Sequence, residues 1–261
     1  MKNCFLLPMV LSLGAGSLYA GTMGSIEPVS NFGGFYIGLG SGITTVFTKD
    51  SFSTARSDGL GGNADTNRYT NTAVLFTGQI GYGAMFNQKT YLGAKASIYY
   101  TPLETLDETG FSTAAGNVLI VGNNSFATSL KPIYNIDAVL GYEVTPHFLP
   151  FVEAGVSFAN AKRNYVFKRT RTNIAAVTNV GYQSSLNLDK YKTGYNVGLG
   201  LNYLAASNWV LSTELVYNYL GSKSDSVMVN IPLTTTTETQ SRTIRNSDVA
   251  MFASISYLMN A

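Results

Sequence analysis

The chain of 261 residues is 45% hydrophobic and 12% aromatic but only 12% charged, with 26 glycines and 17 tyrosines. A soluble domain carries about 25% charged residues, so a protein with an ordinary ion-paired aqueous surface is excluded, and the wealth of aromatic and β-branched residues excludes disorder. A formal net charge of +2 lacks the basic surplus of a nucleic-acid binder, and the length suits one all-β domain.

Taken from the N-terminus, Met1-Lys2-Asn3 is a short basic segment, Phe5 to Leu13 is apolar, and Leu18-Tyr19-Ala20 offers a small residue for cleavage. The pattern predicts a signal peptide over residues 1–20, since its apolar stretch is too short to cross about 30 Å of hydrocarbon. Residues 21–33 are expected to form a periplasmic segment ahead of a barrel over 34–261. Cys4 lies far from the cleavage point, so a lipid anchor is not expected, and the mature chain has no thiol for a disulfide or a metal.

Eight stretches then alternate apolar and polar residues with a period of two, the mark of half-buried strands. They are Phe35–Thr48, Val74–Phe86, Tyr91–Thr101, Leu130–Val144, Leu149–Asn160, Tyr191–Tyr203, Trp209–Leu220 and Val249–Leu258. In the first, Phe35, Ile37, Leu39, Ile43 and Phe47 share one face, and Tyr36, Gly38, Gly40, Gly42 and Thr44 the other. Short connections (Asn87–Lys89, Thr145–Phe148, Leu204–Asn208) alternate with long segments (Lys49–Asn71, Pro102–Ser129, Ala161–Lys190, Gly221–Asp248), which are expected to be loops. Short turns at one end and long loops at the other predict an all-β, eight-stranded antiparallel up-and-down transmembrane β-barrel, closed because a bilayer cannot hydrate an open strand edge. A soluble lipocalin-like barrel would turn the apolar faces inward; the sparse charge favours the membrane form. Aromatics recur near both strand ends, as two membrane interfaces require.

Every charge within a strand interior shares parity with Gly, Asn and Ser. Lys95, Asp137, Glu153, Lys192 and Glu214 are therefore expected to point into the lumen, with Lys95, Glu153 and Glu214 at nearly one height and Lys192 highest. Side chains just fill an eight-stranded interior, so a stabilising charge network is the first reading of these five and a proton relay or gated pore the second. Three acids against two bases leave one carboxylate short of a partner.

Catalysis finds little support. The one histidine, His147, falls in a short turn, a membrane thickness from the outer leaflet where a lipid-modifying enzyme would need its base. No catalytic residue is assigned, and neither a metal nor a cofactor is expected. Gly38-Leu39-Gly40-Ser41-Gly42 runs on into a strand rather than a helix, so it is not a dinucleotide loop and instead makes room in a crowded lumen.

Two long segments stand out. Lys162, Arg163, Lys168, Arg169 and Arg171 put five cations within ten residues with no acid among them, interleaved with Tyr165 and Phe167. They read either as a solvated hairpin tip or as a patch for phosphates of lipopolysaccharide or for sulfated glycans. In the preceding segment, Glu104, Asp107 and Glu108 are followed by Val118-Leu119-Ile120-Val121, a contact surface or a strand extension.

The opening Gly34-Phe35-Tyr36-Ile37-Gly38-Leu39-Gly40, the charged lumen positions and the closing strand Val249–Leu258 resemble the small eight-stranded outer-membrane barrels, namely the OmpA transmembrane domain, OmpX and the opacity-type proteins. The resemblance implies a place in the Gram-negative outer membrane, insertion by the barrel-assembly machinery, contact with outer-membrane lipid and lipopolysaccharide, and a role in adhesion, invasion or envelope integrity without nucleic-acid binding. It departs in its ending, where Tyr257 is followed by Leu258-Met259-Asn260-Ala261 instead of a terminal phenylalanine, and no peptidoglycan-binding domain is expected. The expected function is a non-enzymatic barrel with long loops for a host-surface, glycan or envelope ligand; a lipid A-modifying enzyme and a narrow pore are the alternatives.

Overall fold

The computed structural model describes residues 32–57, 64–87, 89–102, 104–115, 118–173, 178–187, 190–230 and 237–259; the signal-peptide expectation and nearly all of the segment 21–33 lie outside them. The described strands, in chain order, are β1 (Gly34–Arg56), β2 (Ala64–Phe86), β3 (Thr90–Tyr100), β4 (Glu104–Ala115), β5 (Val118–Tyr142), β6 (Phe148–Asn173), β7 (Thr178–Asn187), β8 (Lys190–Ala206), β9 (Trp209–Asn230) and β10 (Thr237–Met259). β3 and β4 run along successive stretches of β5, and β8 and β7 along successive stretches of β6. The ten segments therefore make eight staves. All neighbours are antiparallel, β5 pairs with β6, and β1 pairs with β10 from Phe35↔Met259 to Arg56↔Glu238 to close the ring. The eight-stranded up-and-down barrel read from the alternation is the observed fold.

Burial is inverted relative to a soluble protein. Leu39 is 71% exposed and Leu199 57%, whereas Asn218 is fully buried and Glu214 only 4% exposed. The outward belt on β1 runs from Phe35 to Phe47, which at about 3.3 Å per residue and a strand tilt near 40° spans about 30 Å, the hydrocarbon thickness of a bilayer. Exposed aromatics frame it. Phe35, Tyr82, Phe86, Tyr142, Tyr203, Trp209 and Tyr257 lie toward the short turns; Phe47, Phe76, Tyr100, Tyr134 and Tyr195 lie toward the far end.

The long segments are not loops over most of their length. β1 and β2 continue in register past the belt to Ser53↔Ala64; β9 and β10 continue to Asn230↔Thr237 after a register shift between Arg245 and Ser247, and β5 and β6 to Val118↔Asn173. Alternation fails as a signal here because above the bilayer both faces of a strand are polar, while Thr, Ser and Tyr still favour extended backbone. The change of regime on β5 is marked by Pro132: without an N–H it cannot extend the ladder, and the β5–β6 register shifts between Leu130 and Ile133. Pro102 sits between β3 and β4 for the same reason.

The β1 glycines have a steric cause. A Cβ on Gly40 would stand 2.5 Å from the Ala253 carbonyl oxygen, and one on Gly42 would overlap Met251 and Phe252. Bare backbone lets β10 cross β1 closely at the seam that closes the barrel.

The lumen is layered. At the short-turn end Phe32, Tyr91, Val139, Leu149, Phe151, Leu204 and Val210 form an apolar cork, and further up Leu75, Tyr99, Ile133, Val216, Leu220 and Phe252 form a second. These inward apolar residues share the lumen with the charged and amide side chains. Phe32 ties the chain just ahead of β1 into the lower cork.

Candidate functional site

Between the two apolar layers lies an ionic centre. Lys95 on β3 and Glu214 on β9 face each other across the lumen with Nζ to Oε2 at 2.5 Å, and Lys95 also contacts Glu153 on β6. All three side chains are almost fully buried. The alternation of β3, β6 and β9 aims every second residue inward, and the barrel's small bore brings non-adjacent staves within reach. The Lys95 ammonium lies 5.9 Å from the Phe151 ring centre, on the cork below. Asp137 on β5 is also buried; it stands across the ladder from Lys95 on one side and from Gly155 on the other, where a Cβ would collide with its carboxylate. Lys192 does not join this centre. It is buried beside Ala159, three inward positions above Glu153 along β6. The five charges thus divide into a Lys95–Glu153–Glu214 contact group, Asp137 alongside it, and Lys192 apart.

Above the centre runs an amide and hydroxyl chain. Asn196 Nδ2 donates to Ser157 Oγ at 3.2 Å, Ser157 Oγ and Asn135 Nδ2 both donate to Asn218 Oδ1, and Asn218 Nδ2 donates to Asp248 Oδ2 at 3.0 Å. Gln79 Nε2 donates to Ser254 and Ser256, each at 3.1 Å. These bonds cross-link the staves from within. A cavity in this lower interior, lined by Tyr36, Gln79, Tyr91, Lys95, Phe151 and Glu214, measures about 40 Å³, room for a water or two and not for a substrate.

A second ionic site was not legible in the sequence. Above the belt, Arg242 on β10 makes a two-pronged contact with Asp50 on β1, Nε to Oδ1 at 2.7 Å and Nη2 to Oδ2; both residues are buried inside the upper barrel. Burial pulls the Arg242 guanidinium down to about 10, which leaves it charged at neutral pH. Two positions along β10, Gln240 Nε2 donates to Glu238 Oε1 at 2.9 Å. Parity beyond the belt would have placed these residues inward, but the stretch read as loop.

The five-cation run lies on the outer part of β6, continuous with the membrane stave. Register sets Lys162 and Arg163 opposite Ser129 and Thr128, Lys168 between Asn123 and Gln183, Arg169 between Gly122 and Tyr182, and Arg171 between Ile120 and Val180. The two segments expected to be separate loops thus form one sheet in the order β4, β5, β6, β7. Val118 to Val121 is strand, paired with β4 on one side and β6 on the other.

His147 sits in the short turn before β6, exposed, with Nδ1 3.2 Å from the Leu204 carbonyl oxygen and its ring 6.5 Å from that of Tyr203. It braces two turns against each other. Among the described residues no group of three or more His, Cys, Asp or Glu side chains is placed to hold a metal ion.

No family model matches the chain. It is 26% identical over 207 residues to a 31 kDa outer-membrane immunogenic protein of Brucella melitensis, covering 76% of this chain and 75% of that protein, and equally to the one of Brucella suis. Among solved structures, OprG of Pseudomonas aeruginosa aligns with a TM-score of 0.47 at 12% identity over 87% of this chain and 97% of that one. Ail of Yersinia pestis aligns with a TM-score of 0.27 at 12% identity over 83% and 99%. With its polar core sealed in a ring and its apolar belt turned outward, the chain has the fold of an eight-stranded outer-membrane β-barrel and is similar to outer-membrane proteins of Gram-negative bacteria.

Proposed function

We propose that this is a non-enzymatic barrel whose extended outer strands bind polyanions at the cell surface, either phosphates of lipopolysaccharide or sulfated glycans, in adhesion or envelope binding. The observation that carries the reading is the setting of β6. Its five cations all lie opposite β5, and Lys168, Arg169 and Arg171 also lie opposite β7; neither Val118–Leu130 nor Thr178–Asn187 contains an acidic residue. The acids Glu104, Asp107 and Glu108 lie on β4, one strand further away. A run of cations whose described register partners carry no acid, with Tyr165 and Phe167 between them in sequence, suits a ligand of repeated negative charge. A mobile loop would lose entropy on ordering; a strand continuous with the barrel has already lost it. The lone histidine at the opposite end of the molecule supports the non-enzymatic part of the reading, and insertion by the barrel-assembly machinery belongs to the same reading.

Reversing the five cations to Glu and measuring binding to lipopolysaccharide and to heparin from low to high salt tests it. Heparin binding by the unaltered protein should weaken steeply with salt and the variant should lose it, while its lipopolysaccharide binding should fall; equal binding of both ligands by both proteins would overturn the proposal. The acyl pattern of lipid A should not change in a strain lacking the protein, and a changed pattern would restore the enzyme reading.

A further inference from the structure

Where β1, β2 and β10 leave the apolar belt, three cations stand side by side on the outside of the barrel. Lys49 on β1 is the direct ladder partner of Arg68 on β2 and of Arg245 on β10, and all three are exposed. Adjacent strands lie about 4.8 Å apart, so the row spans roughly 10 Å. Like charges directly opposite one another weaken a sheet, and no described carboxylate relieves this row. Asp50, next to Lys49 in sequence, points into the barrel and is committed to Arg242. Asp65 accepts from its own neighbours, Thr66 N at 2.8 Å and Asn67 Nδ2 at 3.2 Å, and Asp248 is buried against Asn218.

The height of the row specifies its counter-ion. Lys49 is the next outward residue after Phe47, the last exposed apolar side chain of the belt on β1. Two outward positions below the row, Thr45 and Thr72 share a hydroxyl contact at 3.0 Å, and one position above it Ser51 and Thr66 share one at 3.2 Å. Cations set just beyond an aromatic girdle stand at the headgroup layer of the outer leaflet, beside hydroxyl donors and over apolar surface.

We infer that Lys49, Arg68 and Arg245 form a seat for the phosphates of an outer-leaflet lipid, one bearing two phosphate groups so that both ends of the row are neutralised while its acyl chains lie against Ile43, Val74 and Met251. The arginines supply forked donors and Lys49 a central point charge. The inference shares with the proposed function the reading that the protein binds envelope anions, but it uses other residues, and its test separates the two.

The full chain is reconstituted in phosphatidylcholine nanodiscs doped with diphosphorylated lipid A, monophosphorylated lipid A or neither, then extracted in mild detergent, and the retained lipid is counted by mass spectrometry. The unaltered protein should retain the diphosphorylated lipid at least tenfold better than a Lys49→Gln, Arg68→Gln, Arg245→Gln variant, and better than the monophosphorylated lipid. The variant with β6 reversed to Glu should retain it as the unaltered protein does, and the row variant should keep its heparin binding. Equal retention by the row variant, or no preference for the second phosphate, overturns the seat. Loss of heparin binding with retained lipid would assign the row to soluble polyanions and overturn it too. Thermal unfolding in zwitterionic detergent gives an independent reading. The row variant should unfold at a higher temperature than the unaltered protein, and diphosphorylated lipid A should raise the transition of the unaltered protein alone; a lower transition for the variant contradicts the inference. Should the triple variant not fold, Lys49→Gln by itself should cut retention about threefold, and unchanged retention would again contradict it.

Discussion

Two buried ion-pair sites stand at different heights in the described barrel, and they are built differently. Inside the membrane zone a single lysine, Lys95, is shared by two glutamates on non-adjacent staves, with an apolar cork below and a second apolar layer above. Above the membrane one arginine meets one aspartate on adjoining strands in a two-pronged contact. The lower site holds distant walls of the ring together between two apolar layers, with only a small cavity beside it; the upper pair fastens the β1–β10 seam nearer the far end of the barrel. Burial of charge costs most where the surroundings are driest, so the same chemistry should matter unequally at the two heights.

That inequality can be broken by substitution. The largest effect is expected from Lys95→Met, which strands Glu153 and Glu214 together in the interior and should cost about 3–5 kcal/mol in urea unfolding from lipid vesicles. It should not change conductance in planar bilayers, because the corks close the lumen independently; a sizeable new current would show that the ionic centre is itself a gate. Arg242→Met should cost less, about 1–3 kcal/mol, since it strands one carboxylate rather than two and lies nearer the open end of the barrel. Adding Asp50→Leu to it should recover much of that loss. If the two single losses come out equal, the dry-versus-wet distinction fails. Gly40→Val should fall between or below these at about 1–3 kcal/mol, through overpacking against Ala253, and it should slow refolding less than it speeds unfolding if the seam closes last. His147→Ala should be smallest, within about 0.5 kcal/mol, because it removes one exposed turn contact.

The two sites also differ in how visible they were before the fold was known. Lys95, Glu153 and Glu214 could be found because they lie in stretches where lipid on one side and a lumen on the other force a period of two; parity alone then aims them inward. Asp50 and Arg242 obey the same parity, but lipid no longer marks the outer face at Lys49, Ser51 and Ser53 on β1 or at Ser241, Thr243 and Arg245 on β10, so the alternation has no contrast. The cross-strand partners Lys49, Arg68 and Arg245 were hidden for a different reason. They are 19 and 177 residues from one another along the chain on either side of Arg68, and register, not spacing, brings them together. The inward apolar layers escaped because Leu75, Val139 and Phe252 look like irregularities in a strand rather than parts of layers contributed by several staves.

The central claim is that apolar side chains contact lipid and polar ones are sealed within the ring. Once Cys4 is replaced, every thiol is an introduced one, so single Leu39→Cys, Ile136→Cys and Leu199→Cys substitutions can be spin-labelled in bilayers and compared with labels placed at Lys49 and Met228, above the belt. Collision rates with dissolved oxygen and with a water-soluble nickel chelate report lipid and water contact. The account predicts oxygen-dominated relaxation at Leu39, Ile136 and Leu199 and nickel-dominated relaxation at Lys49 and Met228. Nickel access at the three belt positions equal to that at Lys49 would contradict it.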